Sequence, residues 1–473
     1  MMDTMINEEG LSFKDVEEYF FKYICEQGRK MTCEFLEKYD RYLMETRDRA
    51  AYRHKGYRQT TIKTVYGEVE YRRSVYEVKR DDGTHEYVFL LDEQLHIKGV
   101  GLISQNLAEQ LVSGITEMSY RNCADKISHT TGQSVSAMGV WNVIQGLGEA
   151  VCEDERQLVR DHKAGRIQGE KAVPVLFEEA DGIYVTLQRE RQEKGEIKVG
   201  IAYDGWKKSG KDRYALDGKV VVAGFSNAKD FHDYREAAIA EKYDTDEIIL
   251  RIMNADGAEW IKNVHEADTL FQLDPFHRNK AIKECIPYPE AIRAIHEYLD
   301  EKDIDGLFEY LDSYRNSLCD DVEIEEADRL ITYFKNNRNG LIPYNERGIY
   351  IPESSSGLEY RGMGTMENHV WSIVARRMKH NHSSWTIKGG NNLVKILAKK
   401  CCGRLGEVAG KLKRPVFERK CAECLFTEVM SAAKVKEREG HGYEYPVRGS
   451  IVNLGSPVHG AGYLMPALAG YRQ

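Results

Sequence analysis

Residues 173–188 read VPVLFEEADGIYVTLQ, an apolar β run with an Asp-Gly pair at Asp181-Gly182. Two further β runs follow directly, GEIKVGIAYDGW (195–206) and GKVVVAGFS (218–226), the first two joined by the charged turn RERQEKGE. A helix is expected from about Asp230 to Tyr243. DEIILRIMNADGAEW (246–260) then reads as a fourth strand running into a helix start, and DTLFQLD (268–274) as a fifth strand with a helix behind it.

Three meandering strands, then helix, strand, helix, strand, is the order of the ribonuclease-H-like fold. The acidic stretch 287–340 is helical and interrupts the continuation, so it reads as an insertion, after which GTMENHVWSIVARRMKH resumes as helix. The fold class expected is therefore a multidomain α+β protein. Its parts are an N-terminal helix with a basic β-hairpin (1–100), a helix-turn-helix region (101–150) and a linker (151–172). A ribonuclease-H-like α/β core (173–286 and 361–400) follows, carrying an acidic helical insertion (287–360), and a basic C-terminal region (401–473) closes the chain.

Upstream of the core, residues 11–50 read as helix, with Val16, Phe20, Tyr23 and Ile24 at helical spacing. TIKTVYGEVEYRRSVYEVK alternates in steps of two and turns at Gly67, a hairpin to which EYVFLLDEQL adds a third strand. In MSYRNCADKISHTTGQSVSAMGVWNVIQGLG a helix from about Ser119 to His129 buries Tyr120, Cys123, Ala124 and Ile127, and a turn containing Gly132 follows. Ser136 caps a second helix that buries Val140, Ile144 and Leu147 and leaves Ser136, Asn142 and Gln145 outward. That is the helix-turn-helix pattern, whose second helix presents polar side chains to base edges in the major groove. Two short helices packed for structure alone produce the same spacing.

The 473 residues exceed one ordinary core, and two or three domains are expected. No apolar run approaches the roughly 18 residues that span a bilayer, and the acidic start MMDTMINEEG is unlike a signal peptide, so a cytoplasmic protein with no membrane partner is expected. Ten cysteines without regular spacing, Cys401 and Cys402 adjacent, read as reduced thiols; the CxxC at Cys421–Cys424 lacks a second ligand pair and reads as buried thiols more readily than as a metal site. The net charge of −9 opposes a nucleic-acid partner only on average. Residues 376–420 carry 13 Lys or Arg against two Glu, and residues 41–80 carry 11 against five acids, whereas 290–330 hold 14 acids against four bases. Such segregation gives two surfaces that meet a polyanion and one that avoids it, or else solvated helix faces.

Asp181 lies within the first core strand and Asp256 at the exit of the fourth, neighbours at the centre of a ribonuclease-H-like sheet. Carboxylates pressed together repel unless divalent cations lie between them, and paired ions of that kind serve phosphodiester displacement. Two ions, Mg2+ or Mn2+, are the cofactor expected. A third acid is then required, and Glu367, opening the helix after the insertion, is the candidate; Arg376, Arg377 and Lys379 follow on that helix, where phosphates could be held. Each Asp also has a plain reading, Asp181 as a turn residue and Asp256 as a helix cap. Glu178, Glu179 and Asp204 are competing acids, read as surface residues. In FQLDPFHRNKAI (271–282), Asp274 and His277 lie three apart at a helix start and share a face. They orient a metal ligand or phosphate from behind, or else form a cap with a packed imidazole, while Arg278 and Lys280 are phosphate contacts or ordinary surface cations.

Across nearly the whole chain, TIKTVYGEVEYRR, MSYRNCADKIS, EADGIYV, ADGAEWIK, LDPFHRNKAI and MENHVWSIVARRMK resemble the ISLre-type insertion-sequence transposases, a bacterial branch of the Mutator-like DDE transposases. The resemblance implies a metal-dependent transposase with Asp181, Asp256 and Glu367 as its acidic triad and Asp274 and His277 as the Asp-x-x-His signature. The second acid departs from the commoner Gly-Asp-Gly-Ala in having Ala255 before Asp256. The expected function is binding of double-stranded DNA at terminal inverted repeats, metal-dependent strand cleavage and transfer of the freed 3′ end to target DNA, within a homo-oligomer. The rivals are a catalytically inactive transposon-derived regulator and a nuclease of the same fold without strand transfer.

Overall fold

The computed structural model describes residues 12–80, 83–95, 103–131, 133–262, 269–354, 356–380 and 383–411. The Cys421–Cys424 pair, Gly132 and nearly all of the basic C-terminal region lie outside these residues. The described chain is a mixed α+β structure that divides into two compact units, one from residues up to 150 with 405–411, the other from 151–404. Among the described residues no helix is long and apolar enough to cross a membrane.

In the first unit α1 (Phe13–Thr46) starts at a capping box: Ser12 Oγ accepts from the Asp15 amide, and the Asp15 carboxylate accepts from the Ser12 amide at 2.9 Å. Its other end lies on an antiparallel sheet of β1 (Arg53–Thr64), β2 (Gly67–Lys79) and β3 (His85–Val88). The hairpin turns at Gly67, whose φ of +119° suits glycine. Leu36 packs there with Ile62, Val69 and Tyr71, and buried Asp40 accepts from the Ser74 amide and hydroxyl. The stretch EYVFLLDEQL is strand only to Val88; Leu90 and Leu91 are then buried by the short helix α2 (Leu90–Gln94).

After α3 (Gln105–Ile115) come α4 (Tyr120–Thr131) and α5 (Ala137–Lys163). Cys123, Ala124 and Ile127 are buried on α4, and Val140, Ile144 and Leu147 on α5. Ser136 caps α5, its hydroxyl accepting from the Gly139 amide at 3.0 Å. Asn142 is exposed, but Gln145 is not outward as expected: it is buried, because Ile144, Leu147 and Gly148 bury a wider arc of α5 than one apolar stripe suggests. The helix also continues to Lys163, through the first half of the expected linker.

The second unit is built on five strands: β4 (Val175–Thr186), β5 (Lys194–Tyr203), β6 (Val220–Gly224), β7 (Leu250–Ala255) and β8 (Thr269–Leu273), in the order β8-β7-β4-β5-β6. β4, β5 and β6 form the antiparallel meander; β7 and β8 run parallel to β4. Val175, Leu176 and Phe177 are buried on both faces, as a central strand requires. A small hairpin, Gly205–Lys208 with Tyr214–Asp217, extends the meander. Helix α6 (Ala228–Ala240) lies over β6, and α7 (Pro275–Cys285) follows β8. The acidic stretch forms α8 (Pro289–Glu301), α9 (Ile304–Ser317) and α10 (Asp321–Asn336), which share one apolar core with β8 and α7 through Leu273, Ile282, Leu307 and Phe334. The chain returns through α11 (Met366–Val370), a π-helical run Trp371–Lys379, and α12 (Ile387–Cys401).

The acids Glu178 and Asp204, expected on the surface, are buried. Each has a cation: Glu178 accepts from Arg251 at 2.7 Å, and Asp204 lies 2.7 Å from Lys171. A buried carboxylate is tolerated where such a partner and hydrogen bonds replace water.

Candidate active site across three neighbouring strands

The register of the three parallel strands places the site. Ala180 pairs with Ala255 and Ala255 with Leu273, so Asp181, Asp256 and Asp274 each stand one step beyond that rung on adjacent strands. The ladder persists as far as the Asp274 amide, which donates to the Ala255 carbonyl at 2.8 Å. Side chains alternate faces along a strand, so these aspartates share a face with the rung two residues earlier, Glu179, Asn254 and Gln272.

That lower rung is a closed polar layer. Gln272 donates to Asn254 Oδ1 (2.9 Å), and Asn254 Nδ2 donates to Glu179 (3.1 Å) and upward to Asp274 Oδ1 (2.8 Å). Glu179 was expected on the surface; instead it is fully buried and accepts from Tyr203 Oη, the Gly364 and Thr365 amides and Thr365 Oγ1. Burial nevertheless raises its pKa above the usual carboxylate range. These bonds clamp the segment that leads into α11 onto β4.

Asp181 is half-buried, and its carboxylate accepts from the Gly182 amide at 2.7 Å. Its pKa is pushed up to about 6, chiefly by burial, with the charges of Asp256 and Asp274 adding to the rise and His277 opposing it. Asp256 Oδ1 accepts from the Ala258 amide (2.9 Å), the turn geometry of an Asp-Gly pair, and its carbonyl accepts from Tyr333 Oη of α10 at 2.8 Å. Gly257 has φ +89°, and a Cβ there would meet Asn337 Oδ1 at 2.4 Å, so glycine is required on both counts.

Asp274 caps α7 and also binds the imidazole: one oxygen accepts from the His277 amide (3.2 Å) and lies 3.0 Å from His277 Nδ1. The cap with a packed imidazole is what the geometry shows. Burial alone would raise the Asp274 pKa and lower that of His277; their hydrogen bond reverses both, aided at His277 by the charges of Asp181, Asp274 and Asp256. Arg278 is turned inward to the Leu341 carbonyl (3.0 Å), whereas Lys280 is exposed, 3.9 Å from Glu284.

Glu367 is exposed on the first turn of α11. Gly364, three residues before it, comes beside the site: a Cβ there would lie 3.9 Å from Asp274 Oδ1. Among the described residues, however, no group of three or more His, Cys, Asp or Glu side chains is gathered to hold a metal, so Asp181, Asp256 and Glu367 do not form a closed set. Arg376 and Lys379 are exposed on the π-helical run, and Arg377 is half-buried with its guanidinium 5.4 Å from the Trp385 ring centre. The residues missed from sequence are Glu179, Asn254 and Gln272. Their signal is present: the three strands share a polar, small or apolar, then Asp triplet, EAD within β4 and NAD and QLD at the ends of β7 and β8.

The profile of the Uncharacterised protein family (UPF0236) matches residues 6–413. The chain belongs to that family. Relatives with UPF0236 protein names occur in Caldanaerobacter subterraneus subsp. tengcongensis. One is 26% identical over 380 residues, covering 79% of this chain and 74% of the relative. A second, whose name joins eleven designations, is 26% identical over 380 residues, with 79% and 73% covered. A third, whose name joins four designations, is 26% identical over 343 residues, with 72% and 66% covered.

Proposed function

We propose that this UPF0236 protein is a DDE-type DNA transposase with a ribonuclease-H-like core, cleaving and joining DNA ends with divalent cations held between the middle of β4 and the carboxyl end of β7. The observation that carries the reading is the shared rung of Asp181 and Asp256. Two carboxylates from neighbouring central strands face one site, and burial together with mutual charge drives Asp181 up to about 6. Hard oxygen donors that remain strained against ionisation despite His277 fit Mg2+ or Mn2+. The sheet order β8-β7-β4-β5-β6, with β5 antiparallel and β7 and β8 parallel to the centre, supports the fold.

A bound pair of ions would activate the attacking oxygen and stabilise the leaving one. The chain's own residues do the rest. Asp181 and Asp256 would hold the cations. Glu367, on the first turn of α11, would supply the third carboxylate, and the adjoining π-helical run is a form frequent at functional sites. Asp274 fixes the His277 ring, and His277, its pKa raised, offers a positive donor to a phosphate oxygen. Arg376 and Lys379 extend that positive surface. In the first unit, α4 and α5 are read as the helix-turn-helix that binds element ends, with Asn142 available to a base edge and Ser136 engaged in capping; buried Gln145 is dropped from that role.

The names of the relatives support the reading independently, since one product carried under eleven designations in one strain is what a self-copying element leaves behind. The test is Mg2+-dependent cleavage and joining of labelled element-end DNA by the full chain. Asp181→Asn, Asp256→Asn and Glu367→Gln should each abolish both steps while leaving DNA binding intact. Wild-type activity in Asp256→Asn would refute the assignment.

A further inference from the structure

Helix α1 carries two apolar faces. One, through Leu36 and Leu43, lies on the β-sheet of its own unit. The other is open: Phe13, Phe20, Ile24, Met31, Phe35 and Tyr42 are each between 41% and 80% exposed. Their spacing alternates seven and four residues, an eleven-residue repeat of about 3.67 residues per turn, which holds a stripe nearly straight along a helix. At about 100° per residue the six directions fall within an arc of roughly 60°, over some 45 Å of helix. Monomeric soluble proteins rarely expose large apolar patches, and this stripe is broken only by Glu17 and Lys38.

We propose that this stripe seats a second copy of the chain, the two α1 helices running antiparallel about a two-fold axis that passes between Gln27 and Gly28. The pattern is its own reverse about that point. Antiparallel pairing sets Phe13 against the partner's Tyr42, Phe20 against the partner's Phe35, and Ile24 against the partner's Met31, the self-complementarity a two-fold interface needs. The charges select the direction. Within the same arc α1 has two charged residues, Glu17 and Lys38, and the antiparallel register places each opposite the other twice. A parallel pair would set Glu17 against Glu17 and Lys38 against Lys38. The Lys38 contact with Glu34 on its own helix, 3.6 Å and well exposed, is too weak to compete. Two such stripes bury on the order of 1,500 Å², the size of a stable interface. The dimer stands apart from the catalytic reading, although a two-fold pair is also what bringing two DNA ends together demands.

Sedimentation equilibrium on the full chain tests it, with wild type, Glu17→Lys, Lys38→Glu and the double swap. Wild type should dimerise at micromolar concentration. Each single reversal creates two like-charge contacts and should raise the dissociation constant roughly ten- to fifty-fold, and the double swap should return it to within about three-fold of wild type. Glu17 and Lys38 lie about 30 Å apart on one helix, so rescue can arise only between chains. Circular dichroism should be unchanged throughout, since both side chains are exposed. A monomeric wild type, a dimer indifferent to both reversals, or a double swap no better than the singles would overturn the proposal, as would a monomer whose stripe is covered by another part of the chain.

Discussion

Asp181 and Asp256 occupy one rung of two neighbouring parallel strands, a single step past the hydrogen-bonded pair Ala180 and Ala255. The sheet therefore brings them together, and the fold holds the Asp181 carboxylate at a stability cost set chiefly by its burial, with the neighbouring Asp256 charge adding to it.

That cost is measurable. The folded pKa of Asp181, about 6, lies above the 3.8 of an unfolded chain. Ionised Asp181 consequently destabilises the fold; the penalty is absent below about pH 4, grows between pH 4 and 6 and is constant above. A rise of this size corresponds to roughly 2–3 kcal/mol at neutral pH. Asp181→Asn should therefore raise metal-free stability by about 1–3 kcal/mol at pH 7 and by nothing near pH 4, as read by denaturant unfolding in EDTA. Added Mg2+ should stabilise wild type and leave the variant unchanged. A variant less stable than wild type at pH 7 would contradict the account of Asp181 as a buried carboxylate ionised at a cost.

His277 works in the opposite sense. Its folded pKa is raised, so its contribution is fully present below about pH 6.5 and is lost as pH rises through the folded value. The stability difference between wild type and His277→Ala should shrink on going from pH 6 to pH 8. Because His277 holds the Asp181 pKa down, the same variant should move the Asp181 titration upward, which carboxyl carbon NMR would register. An unmoved Asp181 would show that the imidazole does not face it.

Much of this arrangement is legible in the sequence, and the reasons are physical. Strand period, the helices after β7 and β8 and the Asp-Gly turn at Asp256 are local, and they mark β4 to β8, Asp256 and the Asp274–His277 pair; Asp181-Gly182 has turn chemistry but is paired inside β4. What escapes is set by tertiary contacts. Glu179 is indistinguishable from a surface acid until Tyr203, Gly364 and Thr365 arrive from distant segments to satisfy it. Gln145 looks outward on a helical wheel but is enclosed by the wide buried arc of α5. The insertion reads as a separate acidic domain, yet Tyr333 on α10 donates to the Asp256 carbonyl, so these helices brace the site loop.

That brace yields a third prediction. An alanine at position 257 must adopt φ near +89° and displace Asn337, which together cost about 2–4 kcal/mol. Gly257→Ala should lower stability by that amount. Adding Asn337→Ala should recover the steric part only, because the backbone strain remains. Tyr333→Phe, which removes one hydrogen bond to Asp256, should lose about 1 kcal/mol. A crystal structure of Gly257→Ala with Asp256 undisplaced would argue that the loop is not held by α10.

The clamp at Glu179 supplies the last. Both of its oxygens accept: one from Tyr203 and Thr365 Oγ1, the other from Asn254 and the Gly364 and Thr365 amides. Removing the side chain strands several buried donors, and Glu179→Ala should cost about 3 kcal/mol or more. Glutamine, nearly the same size, turns one acceptor into a donor that faces other donors, so Glu179→Gln should rescue little of the loss, whereas a purely space-filling residue would tolerate it. Hydrogen exchange locates the effect: the amides of Gly364 and Thr365, protected in wild type by the carboxylate, should exchange orders of magnitude faster in both variants, while Ala255, deep in the β7 ladder, should lose protection only in step with global stability. Equal loss at both places would mean that Glu179 supports the sheet as a whole. Selective loss at residues 364–365 would mean that it holds the segment leading into α11 and Glu367.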